Sequence, residues 1–191
     1  MRKATPTLDR MGMFAFFYNC KAASMSVQRY LLKDRAIVRK DDSCAYHQVL
    51  SQMTDDDLDG LFKFTIVRNP FARVVSAYHY LLATGTNMQG RNFEQFVLSE
   101  NMPAFNHHFH RQVDLIAHNG KLIVDFVAKI ETIESDWKVI AGRIGCSKKL
   151  PHENASQHDR WQFFYRDHPA VRNKVVEQYR EDFEILDYEM V

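Results

Sequence analysis

Apolar positions in this chain follow two spacings. FAFFY (14–18) and FKFTIV (62–67) are runs of strand length, rich in aromatic and β-branched residues, as expected of strands buried in a parallel sheet. Between and after them the apolar positions fall three or four residues apart. This predicts helices over SVQRYLLKD (26–34), PFARVVSAYHYLLA (70–83), NFEQFVLSE (92–100), ETIESDWKVIAGRIG (131–145) and much of 167–188. TDDDLDGLF (54–62) opens on Thr54 as a cap, with acidic residues in the first turn, and reads as one more helix. Pro70 suits a first helical position and Gly145 a helix end. KLIVDFVAKI (121–130) holds one or two strands, and GTNMQGRN (85–92) is a loop. Strands alternating with helices predict an α/β fold with a parallel sheet. The sequence contains no repeat, low-complexity tract or Pro/Gly/Ser linker, so a single domain over 1–191 is expected.

Composition narrows the function classes. At 191 residues with 46% hydrophobic and 26% charged residues, the chain suits a soluble globular domain. A net charge of +1 gives no support for a nucleic acid or membrane-surface partner. Cys20, Cys44 and Cys146 are odd in number and form no CxxC pair, so free thiols in a reducing compartment are expected. The N-terminal stretch lacks an apolar core of signal length, and no run reaches the ~18 apolar residues of a membrane span. A cytoplasmic location follows as an expectation. The N-A-S triplet at 154–156 accordingly carries no glycan.

The first stretch with candidate chemistry is NCKAASMS (19–26), a loop between predicted strand and predicted helix. In an open parallel sheet, ligands sit beyond the carboxyl ends of the strands. A helix start offers unpaired N–H groups and the positive end of its dipole. Lys21 adds charge, Ser24 and Ser26 add hydroxyls, and Ala22 and Ala23 leave the backbone approachable. Taken alone, the stretch fits an ordinary capped turn at least as well. It has no glycine and does not match GxxxxGK[ST], and Arg68 stands after the second strand where a magnesium-binding acid is wanted.

RNPFARVVSAY (68–78) is more telling. An arginine leaving a buried strand needs an anion, and its planar fork suits a phosphate. Arg73 and Ser76 share a helix face three residues apart; Arg73 binds either an anion or an acidic side chain.

RNPFARVVSAY resembles the 3′-phosphate motif of sulfotransferases, of the carbohydrate sulfotransferase type, and NCKAASMS resembles the 5′-phosphosulfate loop of that family. HQVLSQMTDDDLDGLFKF resembles the segment before the 3′-phosphate motif, and HFHRQVDLI, VDFVAKIETIESDWKVI, LPHENAS and YREDFEILDY resemble later blocks in order, so the likeness covers most of the chain from residue 13. The resemblance implies a P-loop NTPase-like three-layer fold, with a central parallel sheet flanked by helices. It implies 3′-phosphoadenosine 5′-phosphosulfate as donor, held at one end by Lys21, Ala22, Ala23, Ser24, Met25 and Ser26 and at the other by Arg68 and Ser76. Cys20 stands where the family usually has proline, and Met25 where it usually has a hydroxyl residue. Backbone N–H groups survive both changes, so donor binding is expected to persist while turnover is in question.

Sulfuryl transfer to a hydroxyl or amine needs in-line placement and charge stabilisation. Lys21 is the expected stabiliser of charge on the leaving group, and no metal is required. The acceptor's proton needs a base, most readily a histidine. By order, His47 resembles the base-carrying region of some glycan sulfotransferases; His110 lies in a block written H-x-x-P-Q, of which Gln112 is present and the proline is not. His47 is preferred. The cluster His107, His108 and His110 reads as a polar loop, because sequence neighbours seldom share a face. Glu131 orients a base or acceptor, or is a helix N-terminal carboxylate; Asn154 and Ser156 approach the nucleotide, or form a turn. The expected partner is a small-molecule or glycan acceptor. Two other functions stay open: a small nucleotide or metabolite kinase of related fold, and a catalytically silent nucleotide-binding module.

Overall fold

The computed structural model describes residues 14–23, 27, 37–38, 60–118, 120–145 and 161–190. The chain forms two compact units. One comprises Met1–Asn19, Ala23–Val67 and Leu115–Glu153; the other comprises Cys20–Ala22, Arg68–Asp114 and Asn154–Val191.

The first unit is built on a parallel sheet, as the apolar runs predict. Its strands are β1 (Phe14–Phe17), β2 (Ile37–Val38), β3 (Phe62–Val67) and β6 (Phe126–Lys129), in spatial order β2-β1-β3-β6. Every residue of β1 is buried, and so are the last four of β3, which explains the lack of polar alternation in both. Phe64 packs against Phe14 and Phe16 with tilted rings, at separations of 5.9 and 5.2 Å. From β1 the chain passes to β2 on one side and then to β3 on the other. The strand order therefore reverses between β1 and β3, the kind of switch point where open α/β sheets leave a crevice.

Thr65 fixes that edge. Its hydroxyl donates to the Phe17 carbonyl at 2.8 Å and accepts from the Asn19 side-chain amide at 3.1 Å, both residues being buried. A short hairpin, β4 (Ala117–His118) with β5 (Lys121–Leu122), precedes β6, so 121–130 does hold two strands. Two hydrogen bonds lock β3 to the start of β6: Lys63 N–H to the Asp125 carboxylate and Asp125 N–H to the Lys63 carbonyl, each at 2.7 Å. The helix Ile133–Arg143 packs on β6 through this unit, burying Trp137 and Ile140, and ends before Gly145 at φ +65°. Glu131 is exposed, in a 3-10 turn after β6.

The second unit is helical. In chain order its helices are α1 (Pro70–Ala83), α2 (Phe93–Ser99), α3 (Met102–Phe105) and a long terminal helix, Pro169–Ile185; the short helix Val113–Ile116 begins in it. They are hereafter α1, α2, α3, α4 (Val113–Ile116), α5 (Ile133–Arg143) and α6 (Pro169–Ile185). Its core is aromatic: Phe71, Tyr78, Phe93, Phe96, Phe109, Tyr165, Tyr179 and Phe183 are all buried together. Phe71 is central, with the rings of Tyr165 and Phe183 each 4.9 Å away. Polar ends of these rings are satisfied by carbonyls: Tyr165 donates to Phe71 O at 3.0 Å, Tyr179 to Phe109 O at 2.7 Å, and Tyr78 to Arg91 O at 2.8 Å. Burial raises the phenol pKa of both Tyr165 and Tyr179.

α1 begins and ends where predicted, but it is not simply amphipathic. Residues 70–78 and Leu81 are buried, Arg73 and Ser76 among them, while Tyr80 and Leu82 are exposed. α2 carries a capping box between Asn92 and Gln95. Of the predicted helix at 26–34 only Val27 is described; it is buried and helical, its N–H donating to Ala23 O at 3.3 Å. The predicted helix at 54–62 falls mostly outside the described residues; Gly60 forms a turn and Phe62 already belongs to β3. Among the described residues no helix is long and apolar enough to cross a membrane.

Candidate active site

The two segments that leave the switch-point strands, 18–23 after β1 and 68–69 after β3, carry the predicted anion-binding residues. Cys20–Ala22 form a turn within the helical unit. Lys21 and, just beyond, Ala23 hold φ at 66° and 54°. Non-glycine residues avoid this left-handed region at a cost of about 1–2 kcal/mol each. Such conformations persist where the surroundings impose them, commonly at ligand sites. The missing glycine is therefore no obstacle: the loop takes a glycine-like path without one.

Arg73 imposes part of that path. It is 1% exposed, yet its Nε donates to the Cys20 carbonyl at 3.0 Å. A helix residue thus pins the residue before Lys21. The Arg73 Nη2 is buried and has no hydrogen-bond partner among the described residues. An unsatisfied guanidinium nitrogen in the interior is costly, and an anion reaching it would remove the cost.

Lys21 lies with Nζ 4.0 Å above the Tyr80 ring. Its pKa is lowered to about 8 by burial first and then by the Arg68 charge; Cys20 opposes the shift, and Arg73 adds to it. Arg68 and Arg73 thus both repel the Lys21 ammonium, a gathering of positive charge that favours a multiply charged anion.

Arg68 is held by its backbone. The Gln112 side chain accepts from Arg68 N–H at 2.9 Å and donates to Arg68 O at 2.8 Å. Gln112 is itself fixed from α6: the buried Asp182 carboxylate accepts from the backbone N–H of Gln112 at 3.0 Å and of Val113 at 2.9 Å. Burial raises the Asp182 pKa, while the Arg73 charge and the two N–H donors lower it. One chain of contacts therefore runs from Asp182 through Gln112 to Arg68. At the start of α1 the Asn69 side chain accepts from the N–H groups of Phe71 and Ala72, at 3.0 and 3.4 Å. These donors are occupied, so an anion beside this helix start must be met by side chains, with Ser76 buried in the second turn.

The histidine cluster is arranged differently from its sequence reading. His107–Phe109 form a 3-10 turn capped by Asn106, which brings the rings of His107 and His108 to 4.0 Å, although they are sequence neighbours. His108 also lies 4.8 Å from the Tyr80 ring. His110 closes the turn, its N–H on the His107 carbonyl at 3.3 Å, and is half-buried. His47, Ser24, Met25, Ser26, Asn154 and Ser156 lie outside the described residues. Thus Lys21, Arg68, Arg73 and Ser76 fall in one unit. Sequence reasoning overlooked Gln112 as a clamp and Asp182 as its anchor. Gln112 offered a signal, standing in a recognised block; Asp182, in the polar run REDFE, offered none.

No solved structure matches the chain. An uncharacterized protein of Archaeoglobus fulgidus is 36% identical over 93 residues, covering 48% of this chain and 74% of the relative. A profile described as the sulfotransferase family matches residues 13–189, which takes in both the lysine turn and the arginine helix. By that match the chain belongs to the sulfotransferase family.

Proposed function

We propose that the protein moves a sulfuryl group from 3′-phosphoadenosine 5′-phosphosulfate to a hydroxyl or amine of an acceptor, a carbohydrate in the first instance. The observation that carries this reading is the gathering of Lys21, Arg68 and the incompletely paired Arg73 in one unit. These residues fit a nucleotide with anionic groups at both ends. When bound, the donor supplies an activated sulfuryl group attached to a phosphate leaving group.

The side chains divide the work. Lys21, with the loop Ala22 to Ser26, serves the 5′ end, and its ammonium neutralises charge that grows on the leaving phosphate. Arg68 and Ser76 hold the 3′-phosphate through side-chain donors, since Asn69 already occupies the first N–H groups of α1. Arg73 positions the Lys21 turn by its bond to Cys20 O. Gln112 and Asp182 keep the Arg68 backbone in place. His47 takes the acceptor's proton, with His110 as the other candidate.

Incubation of the full chain with radiolabelled donor and a panel of glycans tests this reading. Label is expected in at least one glycan, with release of adenosine 3′,5′-bisphosphate and no requirement for ATP. Magnesium-dependent transfer from ATP instead would favour the kinase reading. Tight product binding with no transfer to any acceptor would favour the silent module.

A further inference from the structure

We propose that Cys20, His107 and His108 form a three-ligand site for a soft divalent cation of the zinc class, which ties the lysine turn to the 107–109 turn. One ligand atom from each residue, the Cys20 sulfur and a ring nitrogen of each histidine, lies within 4.8 Å of the other two. In a tetrahedral zinc site, bonds of about 2.3 Å to sulfur and 2.0–2.1 Å to nitrogen put such atoms about 3.4–3.6 Å apart. Closure by about 1 Å, within the reach of side-chain rotation, completes the set.

Two features prepare the ligands. The Asn106 carboxamide oxygen accepts from His108 N–H at 3.0 Å and lies 2.8 Å from His108 Nδ1. The Asn106 oxygen can only accept, so the second contact calls for the Nδ1–H tautomer, in which Nε2 is the ring nitrogen able to ligate, the usual outer support of a ligating histidine. Arg73 fixes the other side by holding the Cys20 carbonyl. Sulfur with two imidazoles selects a zinc-like ion over magnesium or calcium, and the fourth position is left to water or an anion. The site goes beyond the transfer reaction, which needs no metal, and stands whether or not the donor assignment holds.

Cobalt(II) alone, titrated into the reduced full chain, provides the test. The expected result is a thiolate-to-cobalt charge-transfer band with the visible absorption of a tetrahedral ion. Cys20→Ser should abolish the band, and Asn106→Ala should weaken binding by about 10–100-fold, with far-ultraviolet circular dichroism unchanged. A Cys44→Ser/Cys146→Ser double variant retains the band, which keeps the test decisive if Cys20→Ser does not fold. Absence of the band in the wild type, its survival in Cys20→Ser, or its loss in the double variant would overturn the site.

Discussion

Lys21→Ala is expected to lower the turnover of sulfuryl transfer by at least about 100-fold, as the removal of one charge-stabilising donor does elsewhere. The loss should appear in kcat more than in product affinity, because the charge that Lys21 meets grows during the transfer itself. The fold should be kept. Alanine tolerates the 66° φ of this position no worse than lysine does, and the Arg73 bond goes to the Cys20 carbonyl, not to the Lys21 side chain. Steady-state rates at saturating donor, with circular dichroism as the control, measure this. A variant that turns over within about threefold of wild type would remove Lys21 from the mechanism.

The largest effect on stability is expected at Asp182. Asp182→Ala leaves the buried N–H groups of Gln112 and Val113 without their acceptor and removes a negative charge that interacts with the buried Arg73. Two buried donors left unsatisfied cost about 2–6 kcal/mol together. Asp182→Asn keeps one acceptor and should cost less than half of that. Urea midpoints give the totals, and amide exchange gives the location: protection of Gln112 and Val113 should collapse first. A shift of under about 1 kcal/mol for Asp182→Ala would show that the network does not hold the helical unit together.

Some of this was plain in the residue order. The boundary between β3 and α1 falls at Val67 and Pro70 as read, because a buried apolar run, an Asn cap and a first-turn proline all mark the same place. The tail helix was equally legible, while 121–130 read as one or two strands and holds two. What was hidden depends on contacts between residues far apart in the chain. Arg73 reads as binding an anion or an acidic side chain from a face shared with Ser76; its burial and its bond to the Cys20 carbonyl exist only once the fold brings the turn to the helix. The absence of glycine at 19–26 argued against a phosphate loop by local propensity, and tertiary contacts override that propensity at Lys21 and Ala23. His107 and His108 seemed unable to act together because adjacent residues diverge on helices and strands; a 3-10 turn changes the rule. Asp182 sits among charged neighbours that are solvated, and nothing in its spacing distinguishes it from them.

The central claim is that the cations of the helical unit hold a nucleotide with phosphates at both ends. Calorimetric titration of adenosine 3′,5′-bisphosphate into the wild type, Arg68→Ala and Ser76→Ala tests it most directly. The wild type should bind tightly without added metal or ATP. Arg68→Ala should weaken binding at least about 100-fold, because a charge-assisted contact to phosphate is lost, and Ser76→Ala about 3–10-fold, for one neutral hydrogen bond. No measurable binding to the wild type, or equal affinity in Arg68→Ala, would contradict the account.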